Sequence, residues 1–478
     1  MLKHIVKNEW RNLFADRTFW IVAGLFAASL AYALFNGFAW TAFQNRTIAE
    51  IKQDETARHA DLQRQIGELE RSAPANLSRF SDPRDAAAAG RNTGQRFAQM
   101  PPHAFAAFSI GQSDLLPFYF KISTRSQTTF INTDEIENPT NLLAGRFDAA
   151  FVIIYLLPLL ILALTYNFVS GEREAGTLQM LLAQPVALLT LIAGKILLRF
   201  AVVCGLVIAL SLVLFVAGGG NLLQADNLAR FGLWTAAILV YSFFWFALVI
   251  LINSFNWKSA TNAVALAGVW LLLVVIVPSL ANVAATAIYP VPSRIEMINA
   301  TREASRAATA AGSQLMSRYL EDHPELVQGA YDPTDAAMKT YVTQEMVDRE
   351  VRPILESYDA QLQNQQNLVA RLQLLSPAIA LQTVLNDISG TGGERYQFFL
   401  NQVRGFHQEW QNYFIPRSFQ KARIDQAVYE NSPRFEWQEE SAAQIARRTT
   451  NGLLGILAFA AILTAIGLTL TRRSAAAS

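Results

Sequence analysis

Residues 18–40 read TFWIVAGLFAASLAYALFNGFAW, a run of 23 residues without a charged side chain. A helix needs roughly 20 such residues to cross a hydrocarbon core of about 30 Å. Ala31–Ala33 inside the run resembles a signal-peptidase site, but the basic leader before it is long and the apolar sequence continues to Trp40. These flanks favour an uncleaved membrane anchor over a secretory signal.

Five further apolar runs are long enough to span a membrane, and they lie at residues 148–168, 196–217, 231–252, 261–280 and 452–470. The runs account for the composition, because the chain is 52% hydrophobic and only 16% charged, whereas a soluble domain has about a quarter charged residues. The predicted fold class is an all-α polytopic membrane protein with six transmembrane helices.

Charge and cysteine content exclude several functions. The formal net charge is +1, so no basic field points to nucleic acid. Cys204 is the single cysteine, which excludes a disulfide within the chain and a cysteine-rich metal site.

The distribution of lysine and arginine predicts the orientation of the spans. The leader (1–17) contains four lysine or arginine residues and the segment between the second and third spans (169–195) contains Arg173 and Lys195, whereas the short stretch between the third and fourth spans offers only Arg230. Basic short loops stay in the cytoplasm. We therefore predict a bacterial inner-membrane protein with its leader and its tail (471–478) in the cytoplasm.

The leader is also amphipathic. Its apolar residues fall on one helical face, namely Leu2, Ile5, Val6, Trp10, Leu13 and Phe14. This pattern predicts an interfacial helix that lies on the membrane surface before the first span; the alternative is a basic leader that only fixes topology.

Two long inserts, 41–147 and 281–451, are predicted to form one large, mainly helical extracytoplasmic domain. Apolar stripes within Ile48–Leu69 and Ile354–Leu372 have helical spacing, and burying them favours packing of the two inserts against each other. Pro353 is expected in the first turn of the second of these helices. The aromatic face of a third segment, Tyr396–Phe414, is interpreted as core packing rather than as an outer-leaflet contact.

The segment Ser170–Pro185 reads SGEREAGTLQMLLAQP and connects the second span to the third. It predicts a short helix with Glu172, Arg173 and Glu174 in its first turn, where the helix dipole favours acids. An apolar patch of Leu178, Leu181 and Leu182 follows. Such a segment can fit a groove of a soluble partner through the leucines and set its register through the charges.

This segment, which we call the coupling segment, resembles the coupling-helix signature of ABC-2-type permeases, S-x-E-R-E-x-G-T-L-x-x-L-L-x-x-P. The matching positions are Ser170, Glu172, Arg173, Glu174, Gly176, Thr177, Leu178, Leu181, Leu182 and Pro185. The resemblance implies that an ABC ATPase dimer docks here and that a second permease, identical or related, completes the pore.

The second insert resembles that of one ABC-2 subfamily, similar in layout to permeases of gliding-motility and copper-enzyme-maturation systems. The resemblance rests on Leu375–Pro377, Ala380–Gln382, Ser389–Thr391 and Phe399-Leu400. Large inserts argue against simple drug efflux and suggest that the outer domain handles cargo or meets a periplasmic partner.

The chain has no G-x-x-x-x-G-K-[ST] phosphate loop. It is therefore predicted to be a non-catalytic subunit without a cofactor of its own, and the partner ATPase is expected to bind ATP and Mg²⁺. Met100 and His103 are the one pair considered for copper, but they are too few for a ligand set. No metal site is predicted.

Ionisable side chains are nearly absent from the predicted spans, which disfavours an ion-coupled transporter. The polar residues that could line a substrate path are Tyr155, Tyr166, Asn167 and Tyr241, although packing is the simpler role for each. Three functions remain: an exporter permease, a membrane subunit that relays ATPase motion to a periplasmic partner without moving cargo, and a membrane-anchored sensor. The sensor leaves the coupling segment unexplained.

Overall fold

The computed structural model describes residues 2–71, 77–126, 147–177, 180, 188–324 and 335–477. The helices up to the start of the fourth apolar run are α1 Leu2–Ala15, α2 Arg17–Arg71, α3 Ala86–Ala88, α4 (Ala149–Phe151, a π-turn Val152–Leu156, then Leu157–Thr165), α5 Ser170–Glu174 and α6 Leu188–Ala217. The remaining helices are α7 Ala225–Asn253, α8 (Ser259–Trp270, a π-turn Leu271–Ile276, then Val277–Ile288), α9 Arg294–Asp322, α10 Ala336–Leu372, α11 Pro377–Ser389, α12 Gly393–Phe419, α13 Gln426–Glu430 and α14 Ala442–Ala477.

Among the described residues, six helices are long and apolar enough to cross a membrane. They coincide with the six predicted runs, apart from Asp148, which caps the second helix, so we number the spans 1 to 6 in chain order. The prediction of six long apolar helices is confirmed. The described residues are mostly helical, as predicted, and they also include a two-stranded sheet in the first insert. Arg96–Gln99 (β1) and Tyr119–Ile122 (β2) pair antiparallel, with Arg96 opposite Ile122.

Span 1 continues without a break into the first insert. At 1.5 Å per residue, the 55 residues of α2 extend over about 80 Å. The sequence predicted a span and a separate helix from Ile48, but residues 41–66 contain neither glycine nor proline to end the helix. Within the span, Gly37 allows a close approach to the insert, since a Cβ there would lie 1.8 Å from the carbonyl oxygen of Ala107.

Span 4 is the centre of the spans. Its side chains Trp234, Tyr241, Trp245 and Phe246 are at most 1% exposed, and they belong to a core that all six spans share. Spans 5 and 6 have few buried side chains, 11% and 22% of their most apolar windows, as expected of helices at the edge of a bundle that faces lipid or a partner.

An additional apolar helix, α11, packs against spans 4 and 6. The hydroxyl of Ser376 accepts a hydrogen bond from the Ile379 N–H and donates one to the Leu273 carbonyl at 2.6 Å. Gly390 ends the helix at φ +71°, a conformation that glycine adopts without strain. The resemblance noted at Leu375–Pro377 and Ser389–Thr391 therefore marks the two ends of this helix.

The two inserts lie at the same end of the spans, because four crossings separate them. They share a core in which Ile48, Leu62 and Ile66 pack with Phe399 and Trp410, among others. We call this packed unit the insert domain. Packing of the inserts against each other agrees with the prediction, and so does the buried aromatic face of Tyr396–Phe414.

The predicted partners within the insert domain were partly wrong. The stripe of Ile354–Leu372 does not join the core formed by Ile48, Leu62 and Ile66. Leu355 of the stripe instead packs where α10 meets α9, against a cluster of Ala304, Ala308, Val347 and Val351. Pro353 does not begin a helix either; it lies inside the 37-residue α10. Because Pro353 is exposed, water can satisfy the carbonyl that the missing N–H leaves free.

Candidate coupling site

The coupling segment follows span 2 directly. Helix α5 ends at Glu174, and Gly176 has φ +71°, which turns the chain away from the helix. The segment is described as far as Thr177 and again at Met180, whose side chain is 73% exposed. Leu178, Leu181 and Leu182 lie outside the described residues.

Glu172 is held by partners in this chain. Its Oε1 accepts a hydrogen bond from Lys195 Nζ at 2.7 Å, and its Oε2 accepts one from the hydroxyl of Thr177. The side chain of Lys195, at the start of span 3, is only 8% exposed. It also lies 3.9 Å from Glu9 Oε2, so it joins the coupling segment to the leader helix.

Glu9 is the residue that sequence reasoning missed. Its side chain is 6% exposed, and its Oε1 accepts hydrogen bonds from Arg199 Nη2 at 2.5 Å and Nε at 3.1 Å. A signal was present, because Glu9 lies four residues after Ile5 and four before Leu13, in the apolar stripe of the leader. A carboxylate in such a stripe requires a buried cation.

Glu9, Glu172, Lys195 and Arg199 form what we call the charge network. Two carboxylates face two cations, so the formal charge of the network is zero. Removing any one of the four leaves its partners with an uncompensated charge in a poorly solvated place, which is costly. The network therefore fixes the leader, the coupling segment and the start of span 3 relative to one another.

Arg173 and Glu174 connect the coupling segment to span 5. Arg173 donates hydrogen bonds to Asn256 Oδ1 at 3.0 Å and to the Trp257 carbonyl at 2.5 Å. Glu174 Oε1 accepts from the backbone N–H of Ser259 at 2.7 Å. Ser259 begins α8, where a carboxylate stabilises the free N–H groups and the helix dipole.

The charged residues predicted to set register on an ATPase thus have partners within the chain. Glu172, Arg173, Glu174, Gly176 and Thr177 are brought together, and their contacts reach the leader and spans 3 and 5. Docking of an ATPase on this segment stays a prediction. The geometry adds that a push on the segment would reach those helices together.

The four residues predicted for a substrate path do not share one environment. Tyr241 is fully buried and donates a hydrogen bond to the Ile154 carbonyl at 2.9 Å, which is a packing role. Tyr155 stacks on Phe151 with 4.6 Å between ring centroids. Tyr166 is half-buried and Asn167 is exposed, near the coupling segment. The path stays a prediction.

A second set of polar contacts connects the insert domain to the spans, at the ends that lie away from the coupling segment. Arg230 of span 4 donates to the Ile388 carbonyl at 2.8 Å and pairs with Asp226 at 2.9 Å. His103 Nε2 lies 2.8 Å from the same carboxylate of Asp226, and burial lowers the pKa of His103 to about 4. His103 is therefore neutral at pH 7.

Arg395 is the centre of these contacts. It forms a two-pronged pair with Glu439, at 2.7 and 2.6 Å, and donates to the Gly390 carbonyl at 3.0 Å and the Pro101 carbonyl at 2.9 Å. One buried guanidinium thereby joins the first insert, the end of α11 and the segment that leads to span 6.

Of the Met100–His103 pair considered for copper, His103 has one carboxylate beside it, that of Asp226 at 2.8 Å. No group of three or more His, Cys, Asp or Glu residues that could hold a metal occurs among the residues that the structure describes. The nearby Asp387 faces Arg448 at 3.5 Å, and burial raises the pKa of Asp387 to about 6.

Comparison with known proteins identifies two regions of the chain. Residues 115–284, which contain spans 2 to 5 and the coupling segment, match the ABC-2 family transporter protein family. Residues 294–438 match a domain of unknown function, DUF3526. No curated protein matches the chain. The chain therefore carries an ABC-2 transporter membrane domain followed by DUF3526; membrane domains of this family are generally non-catalytic and imply a partner ATPase.

Proposed function

We propose, from the ABC-2 membrane domain at residues 115–284, that this chain is the membrane-spanning permease subunit of an ABC-type exporter. A separate ATPase dimer hydrolyses ATP, and a second permease, identical or related, completes the pore. The chain lies in the bacterial inner membrane with both termini in the cytoplasm and the insert domain outside.

One observation supports the coupling role above the others. The contacts of Glu172, Arg173 and Glu174 run to the start of span 3, to the loop before span 5 and to the first turn of span 5. Through Lys195 they extend to Glu9 of the leader. Displacement of the coupling segment by an ATPase therefore moves several spans as a unit, which is what a transport cycle driven from the cytoplasm requires.

The roles of the charged and apolar parts of the segment are different. The charges hold the segment against its own chain, and Met180 is exposed. We assign the leucines Leu178, Leu181 and Leu182 to the ATPase groove, where burial of their apolar surface would favour binding.

Substitution of Leu178 and Leu181 by alanine tests this assignment. We expect the double variant to insert and fold but to bind the ATPase at least about tenfold more weakly, because each leucine contributes roughly 1–2 kcal/mol in a pocket. Pull-down of the co-expressed ATPase measures the loss.

The matched control is Leu454→Ala with Leu457→Ala, two exposed leucines of span 6 that should leave ATPase binding unchanged. Wild-type ATPase binding by the Leu178/Leu181 variant would remove the coupling role from this segment.

A specific observation favours a second function, the relay of ATPase motion to a periplasmic partner without transport. The unbroken α2, Arg17–Arg71, joins span 1 to the insert domain, so movement of the span is passed outward by one rigid helix. Purification of the crosslinked ATPase complex separates the two functions: a bound partner protein on the insert domain favours the relay, and a translocated small molecule or polypeptide favours export.

A further inference from the structure

A narrow groove opens where α11 meets spans 4, 5 and 6. Its wall is apolar and includes Phe244, Leu273, Ile456 and Phe459, and its rim carries the amides of Gln373 and Asn451. The groove runs from Asn451, at the insert end of span 6, to Phe244 and Leu273 in the middle parts of spans 4 and 5. It is independent of the coupling segment, and neither the family matches nor the proposed function assigns it a role.

Two glycines of span 6, Gly452 and Gly455, are among the residues that line the groove. Asn451, Gly455 and Phe459 all line the groove and follow one another at intervals of four residues, so they share one helical face. Polarity changes along this face from an amide to apolar side chains. The change falls at residue 452, where the predicted span begins, so we place Asn451 at the membrane surface and Phe459 within the hydrocarbon region.

A positive charge continues this face at the rim. Arg447 lies four residues before Asn451, about 6 Å along the helix, and its side chain is exposed. Its neighbour Arg448 is different, because it pairs with Glu440 at 2.9 Å and with Asp387 at 3.5 Å. The preference of lysine and arginine for cytoplasmic loops does not explain Arg447, because Arg447 lies before span 6, at the end that bears the insert domain.

We propose that this groove binds one anionic phospholipid. The acyl chain lies against Phe244, Leu273 and Phe459, Gln373 and Asn451 donate to the ester and phosphate oxygens, and Arg447 neutralises the headgroup. The exposed side chain of Leu375, 61% accessible at the open side, extends the apolar surface toward the bilayer. The occupant lies between α11 and span 6, where it joins the insert domain to the membrane.

Lipid titration of the full-length chain, without the ATPase, tests the site. We expect native mass spectrometry in a neutral detergent to show one phosphatidylglycerol bound about tenfold more tightly than phosphatidylcholine. Gly455→Leu should fill the groove and lower phosphatidylglycerol affinity by about tenfold or more. Arg447→Gln should abolish the preference for phosphatidylglycerol while phosphatidylcholine binding is kept.

Two control variants make the same substitutions, glycine to leucine and arginine to glutamine, at positions outside the groove. Gly268→Leu is on span 5, where an added Cβ meets nothing within 4 Å, and Arg46→Gln removes an exposed arginine beyond the insert end of span 1; both should bind lipid as the wild type does. Leu375→Asn, at an exposed position, serves if Gly455→Leu does not fold. Equal affinity for the two lipids, full binding by Gly455→Leu or Leu375→Asn, or displacement of the lipid by inorganic phosphate alone would overturn the proposal.

Discussion

Glu9→Ala is expected to destabilise the chain and to uncouple it from its ATPase while ATPase binding persists. The substitution leaves Arg199 and Lys195, whose side chains are 15% and 8% exposed, without their shared carboxylate. Removing one partner of a buried ion pair costs about 3–5 kcal/mol. The leader then loses its fixed position against span 3, and a push on the coupling segment is no longer passed to it.

Two measurements check the prediction. The melting temperature of the purified chain should fall by several degrees, and stimulation of ATP hydrolysis by the permease should be largely lost. Glu9→Gln, which keeps an acceptor for Arg199, should have an intermediate effect. The control is Asp61→Ala, whose partner Arg64 is exposed, and exposed pairs contribute at most about 1 kcal/mol. A Glu9→Ala protein with wild-type stability and stimulation would show that the charge network is dispensable.

Arg395→Met is expected to loosen the insert domain from the spans. Arg395 is 5% exposed, and its loss leaves the carbonyl oxygens of Gly390 and Pro101 without this donor and the Glu439 carboxylate without its cation. Glu439 is 34% exposed and can regain water, so we expect a cost of about 2–4 kcal/mol rather than the full cost of a buried charge.

Hydrogen exchange of α11 and of the segment before span 6 should increase in the Arg395 variant, together with a lower melting temperature. Arg404→Met is a matched control, because Arg404 pairs with Asp359 at the same 2.6 Å distance but with both side chains 34% or more exposed. We expect that variant to change stability by less than about 1 kcal/mol. Equal effects of the two substitutions would mean that Arg395 does not hold the two parts together.

The spans could be predicted from sequence because apolar length alone determines which helices cross a membrane. The same reasoning predicted one short helix that is stopped by Pro185 and carries both the acids and the leucines, whereas the described helix ends at Glu174, before Gly176 with φ +71°. The amphipathic stripes at Ile48–Leu69 and Tyr396–Phe414 also correctly identified buried faces, because helical spacing reports burial directly.

What sequence reasoning missed depends on contacts distant in the chain. Glu9 lies 190 residues from Arg199, and no periodicity indicates which cation it meets. The partner of α10 was wrong because an apolar stripe shows that a face is buried and not what buries it. Pro353 was read as a helix start because proline favours the first turn, but an exposed proline can lie within a long helix that tertiary packing maintains on both sides.

Crosslinking from position 180 tests two claims together: that the coupling segment lies on the cytoplasmic side of the membrane, and that the ATPase contacts it. The variant carries a single cysteine in place of Met180, and the buried Cys204 is replaced by alanine. Position 180 is accessible, because Met180 is 73% exposed. A short thiol-to-amine crosslinker should join this cysteine to the ATPase, whereas a cysteine at the exposed Glu70 of α2 should give no ATPase adduct. Crosslinking to the ATPase from position 70 and none from position 180 would reverse the orientation and contradict the coupling role of the segment.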